Sequence, residues 1–217
     1  MKLDQIRFHI EMGEKFSING INGSINMIPH LFLHHLKNYE TNGIRRVTIK
    51  LTQKISMQNF ISPLESVLVF STFFDIAKFR EADNYHRKLI GLNIILESLL
   101  YIAEKRGWQN DPLLDAYNAC MKRNLVFEGV YKNKSFQSPD RKYLAQLHYN
   151  WDSDKYEATA VLYNKKKEEL HREKILECDP SFVERFSFVG WDKRNPNRFM
   201  ITLEYPHREH VAELIKA

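Results

Sequence analysis

Two histidine pairs have the spacing of metal ligands. His30 and His34 stand four residues apart in a stretch that reads as a helix, so both rings fall on one helical face. His207 and His210 stand three apart in Pro-His-Arg-Glu-His near the C-terminus. A zinc site needs further ligands, and His-Glu-x-x-His is absent because position 31 is leucine. Both pairs, like His9 on the first strand, read as solvated polar residues, and no metal or other cofactor is expected. Nucleophilic chemistry finds no better support. There is no Gly-x-Ser-x-Gly elbow, and neither Cys120 nor Cys178 has a histidine beside it in sequence. Cys120 lies in an apolar helical stretch and reads as a buried, inert thiol. Asp152 and Asp154 form a carboxylate pair, but in a turn, where aspartates bond their own backbone. The Asn-Gly pairs of residues 18–23 read as turns, and no phosphate-cradling glycine loop occurs.

What remains are residues suited to contact rather than catalysis. The segment 79–88, FREADNYHRK, is dense in charge. An aspartate N-cap with a charged first turn explains it structurally. The functional reading is an anion or partner contact at a helix N-terminus through Arg80 and Arg87. Trp151 and Trp191 each close a strand beside a charged turn, Asp152-Ser153-Asp154 and Asp192-Lys193-Arg194. Tryptophan and arginine are the typical anchors of protein interfaces. The candidate partner-binding residues are therefore Trp151, Trp191, Lys193, Arg194 and Arg198, with Arg80 and Arg87. The structural alternative places the tryptophans at the edge of the core. The Lys165–Lys167 run reads as a solubilising turn that blunts a sheet edge.

These residues need elements to hold them. The chain has 217 residues, 43% hydrophobic and 12% aromatic, which supports a packed core and excludes global disorder. Residues 5–12 alternate Ile6, Phe8, Ile10 and Met12 with polar partners, the period of a half-buried strand. Gly13-Glu14 suits a hairpin turn into 15–18. Pro29 is placed to open a helix that ends at Asn42-Gly43, and Val47, Ile49 and Leu51 mark a second strand. Residues 64–75 read as one strand buried on both faces, with a buried helix as the alternative. Tyr85, Leu89, Leu92, Leu96, Leu99 and Ala103 form a single helical face over 82–106, the predicted structural centre, with Lys88 and Ser98 on its solvated edge. Asp111-Pro112 opens another helix, whose buried face includes Leu113, Leu114 and Cys120. From residue 125 the period becomes two. Segments 125–132, 141–151, 155–163, 168–177, 185–192 and 198–205 read as an antiparallel meander, followed by a short helix at 207–216. The expected fold class is α+β, mostly antiparallel, packed with a long buried helix. It is read as one compact domain with possible subregions 1–124 and 125–217.

Charge and termini narrow the function. The net charge is +5, yet residues 1–124 carry 16 basic and 12 acidic residues and 125–217 carry 16 and 15. Neither half is a basic arm, so nucleic-acid binding is the less favoured reading. Two cysteines make no disulfide framework. Asp4, Arg7 and Glu11 interrupt any signal-peptide core, and Asn93 and Glu97 break the longest apolar stretch. A soluble cytoplasmic chain that contacts no membrane is expected. The function expected is non-enzymatic and stoichiometric binding to another protein, in its most specific form a bacterial toxin-neutralising immunity protein. The alternative is an enzyme or small-ligand domain whose site is assembled from separate segments.

Overall fold

The structure is a computed structural model that describes residues 1–11, 21–54, 59–180, 186–204 and 208–214, with backbone alone for 21–24 and Phe60. The chain is an α+β protein with four α-helices and twelve strands among the described residues. It divides into two compact units, Met1–Val126 and Phe127–Ala217.

In the first unit, β1 (Gln5–Ile10), β2 (Arg46–Thr52), β3 (Phe60–Leu64) and β4 (Val67–Phe73) form a sheet in the order β1-β2-β4-β3. β1, β2 and β4 run parallel, and β3 is antiparallel to β4. The parallel β1–β2 pair follows from the intervening helix α1 (Ile21–His35), since parallel neighbours require a long crossover. Period-two patterning turns Ile6, Val47, Ile49, Leu51, Leu68 and Phe70 into the core. Helix α2 (Ile76–Glu81) leads into α3 (Asn84–Arg106) and α4 (Asp111–Lys122). α3 packs on β4, with the Tyr101 and Phe70 rings 5.5 Å apart. The side chain of Asp83 caps α3 by accepting from the His86 N–H, and Gly107 ends it in the left-handed conformation at φ 67°.

Several local expectations need correction. Helix α1 begins at Ile21, not at Pro29, which lies inside it. Ile25, Ile28 and Phe32 are all buried, and their burial holds the helix despite the missing proline N–H. The Asn22-Gly23 pair is consequently helical, while 12–20, including the Gly13-Glu14 turn, lies outside the described residues. The segment 64–75 is not one strand. Glu65 takes a left-handed φ of 51°, and the Glu65-Ser66 turn joins β3 to β4. No glycine or asparagine marks that turn, so the sequence gives no signal for it. In α3, Leu96 is only half-buried, whereas Lys88 and Ser98 are buried. Asn110 rather than Asp111 occupies the N-cap of α4, and Leu114 is exposed.

In the second unit, β5 (Phe127–Val130), β6 (Phe136–Gln137), β7 (Leu144–Trp151), β8 (Tyr156–Tyr163) and β9 (Glu169–Cys178) form one antiparallel sheet. Its order is β5-β7-β8-β9, with β6 also pairing β7. β10 (Phe186–Trp191), β11 (Arg198–Leu203) and β12 (Glu209–Glu213) form a second antiparallel sheet. The helix expected at 207–216 is therefore a strand over 209–213, with 207 and 215–217 outside the described residues. Its register with β11 places Ala212 opposite Phe199, both fully buried. Pairing to an apolar neighbour outweighs a weak helical pattern. Ring contacts join the two sheets, Tyr131 in the turn just after β5 with Phe186 at 5.3 Å and Phe136 with Phe199 at 5.5 Å.

Candidate functional site

Among the described residues a shallow open cleft of about 380 Å³ lies on the outer face of β10, β11 and β12. Its floor follows from register. Phe188 pairs with Thr202, which pairs with Glu209; Gly190 pairs with Met200, which pairs with Val211. Alternation sends these side chains to one face and Phe199, Ile201 and Ala212 to the core. Phe188 is 37% exposed and Val211 40%, while Met200 and Thr202 are buried on the same face. The aromatic ring lies along its own strand, because a Cβ on Gly190 would meet Phe188 Cζ at 3.1 Å. Glycine at 190 is what permits that close approach.

The polar wall comes from the turn after β10. Asp192 Oδ1 accepts from the Arg194 backbone N–H at 2.8 Å and from Arg194 Nε at 3.2 Å. Arg194 also reaches Glu209, with its terminal nitrogen 3.2 Å from Oε2. Arg198 pairs with Glu213 at 2.7 Å. Lys193 is exposed on the rim. The Arg194 backbone N–H, and after it the Arg194 guanidinium, hold the Asp192 carboxyl below the ordinary aspartate range, against burial, which pushes it up. A lowered carboxyl pKa contributes stability above the ordinary range near about 4, lost as pH falls through the folded-state value. Asp192→Asn is therefore expected to flatten part of the acid limb of a melting-temperature profile between pH 7 and 2.5. An acid limb identical to wild type would show that this turn contributes nothing to acid sensitivity.

The candidate residues are dispersed. Lys193 and Arg194 line the cleft, and Arg198 lies beside it on β11. Trp191 is 9% exposed, its ring edge-on to Phe199, and its Nε1 donates to the Phe136 carbonyl at 3.0 Å. Trp151 is 8% exposed, stacked on Phe127 and edge-on to Tyr156. Both indoles are thus packed inside the second unit rather than presented beside their charged turns. Their strand partners supply the reason: Trp151 pairs directly with Phe127 and Tyr156, and Trp191 with Phe199. Arg80 and Arg87 belong to the first unit. Arg87 donates to the carbonyls of Phe79 and Arg80 and lies over the Phe79 ring, so it ties the end of α2 to α3. Phe188, Met200 and Glu209 escape the sequence reading because they lie on three different strands that only the pairing of β10, β11 and β12 brings onto one face. Glycine at 190 is the local signal there, since the missing Cβ leaves room for the Phe188 ring.

The other chemical candidates are accounted for locally. Asp152 accepts from the Ser153 N–H and hydroxyl, the expected turn aspartate. The Cys120 thiol is buried and pushed up to about 12 by that burial. His30 and His34 are exposed, and the His34 ring sits edge-on to His35 at 5.1 Å. His210 lies on β12, and His207 is outside the described residues. Among the described residues, no three histidine, cysteine, aspartate or glutamate side chains converge as a metal site, and no helix is long and apolar enough to cross a membrane. No protein-family model matches the chain, and no curated protein or solved structure is significantly similar to it.

Proposed function

We propose that the protein acts by stoichiometric binding to another protein, and that the outer face of β10, β11 and β12 receives it. The observation that carries this reading is the exposed Phe188 ring over Gly190, with Val211 across the sheet and Lys193, Arg194 and Arg198 around it. An apolar centre with a charged, solvated rim is the anatomy of a protein interface, and aromatic and arginine residues supply its anchors. The alternative of an assembled catalytic site draws less support from this cleft. Of its ionisable groups, Asp192, Arg194 and Glu209 are committed to one another in ion pairs, and Lys193 stands exposed on the rim. A toxin-neutralising immunity protein is the most specific form of the proposal. It predicts a toxin open reading frame adjoining the gene, whose product co-purifies one-to-one with this chain.

The test is Phe188→Asp in the full chain. Loss of an interface anchor is expected to cost about 2 kcal/mol or more, roughly a thirtyfold loss of affinity. The melting temperature should stay close to wild type, because the ring is partly solvated already. Affinity purification from the source cells, with stoichiometry measured, supplies the readout. Absence of a one-to-one partner, or equal recovery by the variant, overturns the proposal.

A further inference from the structure

The second unit is electrically polarised. Residues 131–143 and 164–172 together hold eight basic residues, Lys132, Lys134, Arg141, Lys142, Lys165, Lys166, Lys167 and Arg172, against three acidic ones, Asp140, Glu168 and Glu169. Their net charge of +5 equals that of the whole chain. The rest of 127–217 carries eight basic and twelve acidic residues, net −4. Strand register gathers much of the positive charge at one end of the five-stranded sheet. Leu144 pairs with Tyr163, so the turn before β7 and the turn between β8 and β9 lie side by side. Arg141, Lys142, Lys165, Lys166 and Lys167 are all exposed there.

Two further features separate this end from an ordinary solvated turn. Arg172 and Lys142 have acidic partners, Glu169 and Asp140, but among the described residues Arg141 and Lys165–Lys167 make no ion pair. Arg141 and Lys167 also adopt left-handed φ of 60° and 64°, a conformation that glycine or asparagine takes more readily. Beside the lysine turn, Tyr163 Oη lies 3.2 Å from His148 Nε2, which is 3.1 Å from Gln146 Oε1. The Gln146 amide in turn donates to Ser135 Oγ. That chain fixes a half-buried tyrosine at the edge of the cationic end.

We infer that this end of the sheet docks an acidic segment of a protein partner, with Lys165–Lys167 and Arg141 meeting its carboxylates and Tyr163 giving the contact an aromatic anchor. The inference rests on the reading of the chain as a protein-binding module and adds a second surface to it. Polarisation favours a short acidic segment over a nucleic acid. A uniformly charged strand longer than the patch would run onto the acidic remainder of the unit and be repelled.

The test uses the full chain and two fluorescent probes, a decapeptide carrying four consecutive glutamates between glycine and serine residues and a single-stranded decanucleotide, followed by polarisation at low and moderate salt. The peptide is expected to bind saturably and more tightly than the oligonucleotide. The triple substitution Lys165→Gln, Lys166→Gln, Lys167→Gln should weaken peptide binding at least tenfold and reduce its salt dependence, while Lys37→Gln, at an exposed position of the first unit, leaves it unchanged. No saturable peptide binding, equal binding by the triple variant, or tighter oligonucleotide binding overturns the inference. Each surface can fail alone: partner recovery that depends on Phe188 is independent of the peptide result.

Discussion

Trp191→Ala is expected to destabilise the second unit by about 3–5 kcal/mol, the range for deleting a large buried aromatic side chain. The indole packs edge-on against Phe199, which is fully buried, and its Nε1 donates to the Phe136 carbonyl. Removing it opens a cavity beneath β11 and leaves that carbonyl without its tryptophan donor. Trp191→Phe separates the two effects. It keeps most of the ring volume, so its smaller loss, about 1–2 kcal/mol, reports chiefly the hydrogen bond and the remaining void. Urea unfolding followed by far-ultraviolet circular dichroism measures both. A Trp191→Ala midpoint equal to wild type would remove the indole from the core and return it to the surface role that its neighbouring charged turn implies.

The tryptophans show where sequence reading of a site loses its hold. A strand-end indole beside Asp-Lys-Arg has the same local sequence whether its ring points inward or outward. Only the partner strand decides, and the pairing of Trp191 with Phe199 joins residues from different segments. Lys193 and Arg194 were legible as exposed because a turn fixes their environment locally, and both line the cleft. Phe188 was not, because its exposure depends on what the outer face of the sheet leaves uncovered. The cationic end has the same character. Lys165–Lys167 are plain in the sequence, but Arg141 joins them only through the Leu144–Tyr163 register.

The fold followed similar limits. The α+β class and the strands of the second half were legible, since period two is local and strong there. The Glu65-Ser66 turn was not, because a left-handed glutamate leaves no compositional mark. The final strand was not, because β11 stabilises it through pairing rather than through its own propensity. A proline inside α1 likewise shows tertiary burial overriding a local breaker.

Leu92→Ala is expected to cost the first unit about 2–5 kcal/mol, and Leu96→Ala distinctly less. Apolar spacing places both leucines on one face of α3, yet Leu92 is fully buried and Leu96 half-buried. The difference comes from the small residues. A Cβ on Gly91 would lie 3.4 Å from Ile25 Cγ2, so α1 approaches α3 over the glycine. Ser98 is buried on the same side of the helix. The contact face is therefore Lys88, Gly91, Leu92, Ile95, Ser98, Leu99 and Ile102, while Leu89 and Leu96 flank it. A helix packs closest where its side chains are smallest, and a pattern that counts only large apolar residues is drawn off that line. Lys88 remains buried on this face; its aliphatic stem can cover apolar surface as leucine would. Urea midpoints for the two variants decide the matter. Equal losses would restore the face drawn through Leu89 and Leu96, and a larger loss for Leu92→Ala fixes the one centred on Gly91.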